Sequence, residues 1–176
     1  MTQRLIVLLA AAASVAIAVG LFLWTKRPTK VVTPTELSSS ETWRGVLCYP
    51  DLQNDRFIRV PIMLTGLTLE RAVTELVQRL QAPEESGADP ALPPDARLRQ
   101  VRRDGDMLVL DFDDKLTTPS FWAGSEVAHL RLQALVHTLT SLPGIRRVRV
   151  TVNGRTPDLG GHEDLSEPLE PDPTLN

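Results

Sequence analysis

Apolar and polar positions alternate along this chain with three different periods. Leu5 to Trp24 is a run of twenty residues without a charge, rich in Leu, Ile, Val and Ala. At about 1.5 Å per residue such a helix spans about 30 Å, one hydrocarbon core, and it reads as a transmembrane helix. Beyond it the periods shorten. Trp43 to Tyr49 and Phe57 to Leu64 are apolar, β-favouring runs on either side of a polar turn, Pro50 to Asp55, and they predict a hairpin. Leu69, Ala72, Val73, Leu76, Val77 and Leu80 then recur at three- and four-residue spacing, the mark of an amphipathic helix, with Thr68 as its N-cap. Pro83 to Pro94 reads as a loop. Arg97 to Arg103 and Met107 to Phe112 form a second predicted hairpin around Asp104-Gly105. A second helix carries the stripe Ala128, Leu132, Leu135, Leu139 and Leu142, with Ser125 as its cap and Pro143-Gly144 as its stop. Arg146 to Val152 closes the series as a strand with Val148, Val150 and Val152 on one face.

The order is β-β-α-β-β-α-β. It predicts an α+β domain: a mostly antiparallel sheet with two helices packed on one face and the other face open, preceded by one transmembrane helix. The segments are a short tail at 1–4, the anchor at 5–24, a Pro- and Ser-containing linker at 25–41, the domain at 42–162 and an acidic, Pro-rich tail at 163–176. A cleaved signal peptide ending at Ala16-Ile17-Ala18 is the alternative to the anchor. Cleavage there would leave Leu21, Phe22, Leu23 and Trp24 exposed, whereas an intact helix sets Trp24 at the interface and Lys26 and Arg27 among the headgroups. The flanking charges, Arg4 on one side against Lys26, Arg27 and Lys30 on the other, favour a cytoplasmic C-terminus.

Beyond Lys30 there are 15 Lys and Arg against 22 Asp and Glu, a net charge of minus seven, which argues against nucleic acid as a partner. Cys48 is the only cysteine and reads as a buried structural thiol, with no metal-ligand spacing around it. His129, His137 and His162 have no common metal geometry and read as structural. Gly160-Gly161 lacks the following helix that a phosphate loop needs, so no cofactor is implied. Asp111, Asp113 and Asp114 are the candidate acid–base groups of an alternative, a cell-wall hydrolase or esterase, but no nucleophile motif accompanies them. The remaining pattern is basic. Arg97, Arg99 and Arg103 share one parity on the third strand, and Arg147 and Arg149 share the parity opposite the valines on the last. If those strands are close neighbours, the five arginines gather on the open face as a docking site for an anionic partner, with a solvated sheet surface as the bland reading.

Four stretches carry a family resemblance. Ala72-Val73-Thr74-Glu75-Leu76 leads to Leu80-Gln81-Ala82-Pro83; Leu92-Pro93-Pro94-Asp95-Ala96-Arg97-Leu98 precedes the third strand; Leu108-Val109-Leu110-Asp111-Phe112 is the fourth. Thr138-Leu139-Thr140-Ser141-Leu142-Pro143-Gly144-Ile145 and Val148-Arg149-Val150-Thr151-Val152-Asn153-Gly154 complete the set. Together they resemble the GerMN domain family. Ala82 stands where the family has Gly, Glu170 where it often has Arg, and an apolar helix where several relatives carry a lipoprotein cysteine. The resemblance implies a small noncatalytic domain associated with spore formation and germination and tethered outside the cytoplasmic membrane. It therefore sets the C-terminal domain outside, against the flanking charges. The function expected is a membrane-tethered module for binding or assembly, whose partner is an envelope protein, a second copy or a cell-wall polymer. Replacing Arg99, Arg147 and Arg149 with Glu is expected to abolish partner capture and leave the fold intact.

Overall fold

The computed structural model describes residues 41–160 and 163–175. The expected transmembrane span, the cleavage alternative, most of the linker and His162 lie outside the described residues. Among the described residues no helix is long and apolar enough to cross a membrane.

β1 (Glu41–Asp51) and β2 (Arg56–Leu67) form the first hairpin, antiparallel along their whole length. Its turn is built by Asp51, which is buried and accepts from Asn54 Nδ2 at 2.7 Å and Arg56 Nε at 3.1 Å. Those donors, Asn54 first, hold its carboxyl below the usual range. α1 (Leu69–Gln81) follows, with the Thr68 hydroxyl accepting from the Arg71 N–H at 3.4 Å as the expected cap. Ala72, Val73, Leu76, Val77 and Leu80 face the core, as their spacing predicts. The Pro-rich loop after α1 is tied back onto it: Ala91 N–H donates to the Leu80 carbonyl at 2.8 Å, and Gln81 Nε2 donates to the Pro93 carbonyl at 2.9 Å.

β3 (Leu98–Asp104) and β4 (Met107–Phe112) are the second antiparallel hairpin, and β5 (Arg147–Val152) pairs parallel to β4 after the helix α2 (Ser125–Thr140). A parallel partner needs such a crossover, and α2 is it. The strand order is β3-β4-β5, so β3 and β5 are not adjacent. The core faces of this sheet are Leu108, Leu110, Phe112, Val148 and Val150, all buried.

Two expectations are corrected here. The five strands do not form one sheet; β1-β2 is a two-stranded sheet of its own, and the helices touch both sheets. The reason lies at the free edge of β1, which α2 occupies in place of a third strand of that sheet. Thr138 Oγ1 accepts from the Cys48 N–H at 2.9 Å, and Ser141 Oγ accepts from the Val46 N–H at 2.8 Å and donates to the Val46 carbonyl at 3.2 Å. Hydroxyls one helical turn apart thus satisfy backbone groups that would otherwise be orphaned. Nor is Ser125 the cap of α2. Gly124, at φ +95°, holds that position with no side-chain hydrogen bond, and Ser125 is the first helical residue.

The acidic tail packs back along much of its length. Leu165 is buried, and Leu169 exchanges two backbone hydrogen bonds with Val148 at 2.9 and 2.7 Å, covering the outer edge of β5. A row on α2 at four-residue spacing holds the rest. His129 Nδ1 meets Glu163 Oε1 at 2.7 Å and its Nε2 meets Asp172 Oδ2 at 3.1 Å; Gln133 Oε1 accepts from the Asp172 N–H at 3.0 Å; His137 Nε2 lies 3.1 Å from the Asp172 carbonyl. Cys48 is buried as expected, and burial pushes its thiol up.

Candidate functional site

The uncovered face of the three-stranded sheet is set by register. Residues directly opposite one another point to the same side, so Arg102, Val109 and Arg149 form one row across β3, β4 and β5. Asp104, Met107 and Arg147 form the next row, and Gln100, Asp111 and Thr151 the third. With strands about 4.8 Å apart, the backbones bearing Arg102 and Arg149 are about 10 Å from each other, on either side of an apolar strip of Val109 and Met107. Both strip residues are half-buried. Arg147 is committed: its Nη2 donates to Asp106 Oδ1 at 2.8 Å, a bond that heads the reasons why the Asp106 carboxyl stays below the usual range. Arg149 is less satisfied, since its Nε is buried without a hydrogen-bond partner among the described residues.

The expected set of five arginines is therefore not assembled as its parity implied. The register shifts between Leu98 and Gln100, and the extra residue in that bulge is Arg99. Downstream of the bulge every side chain changes face. Arg103 falls opposite Leu108, on the helix side, and reaches out to the Gly105 carbonyl at 2.8 Å and the Gly144 carbonyl at 3.2 Å. There it fastens the β3–β4 turn to the α2–β5 loop. Gly144, at φ +77°, admits this approach, since a Cβ there would sit 2.8 Å from Arg103 Nη2. Arg99 bonds the Asn153 side chain at the end of the sheet. Arg97 precedes β3, and its N–H donates to Asp113 Oδ1 at 3.0 Å. The residue that joins Arg149 is Arg102, absent from the expected set. Leu98 and Val101 carried the signal: two inward-facing apolar residues at an odd separation in one strand require a bulge between them.

The carboxylates of the hydrolase reading have structural partners. Asp111 Oδ1 accepts from the Thr151 hydroxyl at 2.8 Å and the Gly154 N–H at 2.7 Å, fixing the turn after β5. Asp113 caps the 3-10 turn Asp114–Thr117 and accepts from the N–H groups of Arg97 and Lys115. Asp113 lines a shallow depression with Asp95, Arg97 and Lys115, and Asp111 does not share it. Among the described residues no group of three or more His, Cys, Asp or Glu side chains could hold a metal ion.

The two helices, the split sheets and the arginine-flanked face define a small mixed α+β domain whose patterned feature is a surface. The family model "Germane: Sporulation and spore germination" matches residues 46–158, and the chain belongs to this family of GerMN-like domains. Among solved structures, a provisionally assigned lipoprotein from Clostridium perfringens is similar at 21% identity and a TM-score of 0.54, covering 74% of this chain and 87% of that one. The tandem GerMN domains of the sporulation protein GerM from Bacillus subtilis are similar at 19% identity and a TM-score of 0.50, covering 81% of this chain and 50% of theirs. At these identities the likeness is one of fold. No curated protein sequence gives a significant match.

Proposed function

We propose that this chain is a noncatalytic, membrane-tethered module that binds or assembles a cell-envelope complex related to sporulation or germination. In this reading the apolar segment at 5–24 anchors it, the folded domain stands outside the cytoplasmic membrane, and the outer face of β3-β4-β5 meets an acidic envelope protein. Membership of the Germane family supports the pathway. The observation that carries the site is the row Arg102, Val109 and Arg149, two guanidinium groups flanking an apolar strip on the face turned away from the buried Leu108, Leu110, Val148 and Val150. A guanidinium holds a carboxylate through two parallel hydrogen bonds, and the strip adds desolvation to the contact. Asp111 and Asp113 speak against the hydrolase alternative, because each is engaged in fixing a turn.

Photo-crosslinking in cells tests the reading, with p-benzoylphenylalanine placed at Val109. A discrete protein adduct from this position is the expected result. The absence of any adduct there would remove the face from the proposal. Cleavage of cell-wall material by the purified protein, lost in Asp113→Asn, would replace the module by the hydrolase.

A further inference from the structure

A second surface lies away from the sheet face and does not depend on it. Leu47, Tyr49 and Val60 of the first hairpin floor a groove of about 390 Å³, walled by Glu75 and Arg79 of α1 and by Glu84 and Glu85 of the loop beyond. Of these three floor residues only Tyr49 carries a polar side-chain atom. Tyr49 is only 4% exposed, yet its phenolic oxygen has no hydrogen-bond partner among the described residues. The oxygen keeps contact with solvent, so a group entering the groove would take the place of water there. Burial above all pushes this phenol up, so it is neutral and available both to donate and to accept.

The charges at the rim are uneven. Arg79 is turned onto Glu75, with its Nε and Nη2 at 2.9 and 2.8 Å from the same carboxylate oxygen. Glu84 and Glu85 are exposed and have no ion-pair partner among the described residues. An occupant must therefore carry positive charge at its end, an apolar stem behind it, and more than one donor to share between a carboxylate and the phenol. An ammonium on a four-carbon stem meets all three conditions. We propose that the groove takes a lysine side chain from a basic peptide segment of a partner protein, its methylenes against Leu47 and Val60 and its ammonium between Tyr49 and the Glu84–Glu85 pair.

Tyr49 is the only tyrosine in the chain, so full-length protein carrying 3-fluorotyrosine gives one fluorine resonance, reporting from the groove itself. The probe is the peptide acetyl-Gly-Lys-Gly-amide, with its norleucine counterpart as the uncharged control. The expected result is a saturable shift with the lysine peptide, no saturable shift with norleucine, and affinity about tenfold weaker in Glu84→Gln/Glu85→Gln. No saturable shift, equal shifts with both peptides, or unchanged affinity in the double variant would each overturn the proposal. A shift that develops on concentrating the protein without peptide would place a second copy in the groove and overturn it as well.

Discussion

The two helices differ in how their apolar residues are distributed and in what surrounds them. α1 buries one stripe and leaves Arg71, Gln78 and Arg79 in solvent, as an amphipathic helix at the surface should. α2 is buried on nearly every side: Leu130, Leu132, Gln133, Ala134, Leu135, Val136, Thr138 and Leu139 are all covered. The difference is in what their polar residues face. Thr74 on α1 bonds its own helix, at the Glu70 carbonyl 2.7 Å away, and is half-buried. On α2, Thr138 and Ser141 close the edge of β1, and His129, Gln133 and His137 hold the tail. A polar residue on a helix thus marks either solvent or a segment that has yet to arrive, and only the fold distinguishes the two.

The largest contrast to test is between the threonines. Thr138→Val keeps the volume but removes the acceptor of the Cys48 N–H, leaving a buried donor unpaired at a cost of about 1–3 kcal/mol. Thr74→Val, on the exposed helix, should stay within about 0.5 kcal/mol. Urea unfolding of both variants measures the difference, and equal midpoints would mean that the β1 edge does not depend on α2.

Local geometry was legible in the sequence where it depended on neighbours in the chain. The turn at Pro50–Asp55, the Thr68 cap and the inward stripe of α1 stand where their spacing put them. Three features were hidden because their causes are distant. The separation of the sheets depends on Ser141 and Thr138 meeting Val46 and Cys48, about ninety residues earlier. The parallel pairing of β5 with β4 follows from where α2 returns the chain. The tail reads as acidic and Pro-rich, and its order comes from Leu169 at β5 and from the α2 histidines. The arginine face was legible as to residue type and misread in register, because one bulge at Arg99 exchanges Arg102 and Arg103 between faces.

The tail gives a smaller, pH-dependent contrast. Burial opposes the charge on His129, but the hydrogen bonds it donates to Glu163 and Asp172 outweigh it and lift the ring above the usual histidine range. A neutral imidazole has one N–H and can satisfy only one of the two carboxylates. The clamp's contribution is therefore fully present below the ordinary value of about 6.5 and is lost as pH rises through the elevated one. On the acid side its Asp172 half persists below the usual carboxylate range, since that carboxyl is held down chiefly by Thr174, with His129 adding to it. Amide exchange at Leu169 and Val148, corrected for intrinsic rates, should lose protection across that upper window, and His129→Gln should flatten the profile. Helix α1 offers no such clamp, so the amides at its centre should show no matching change.

The most direct test of the functional account compares two pairs of arginines by the same measurement, the crosslinking yield from p-benzoylphenylalanine at Val109 in cells. Arg102→Glu/Arg149→Glu reverses the charges that flank the strip on the open face. Arg99→Glu/Arg103→Glu makes the same change of charge at the bulge and on the helix side. The account predicts that the first pair abolishes the adduct and the second retains it, at equal levels of folded protein. Loss in the second pair with retention in the first would contradict it, because the face that meets the partner would then be the one the uninterrupted parity of β3 describes.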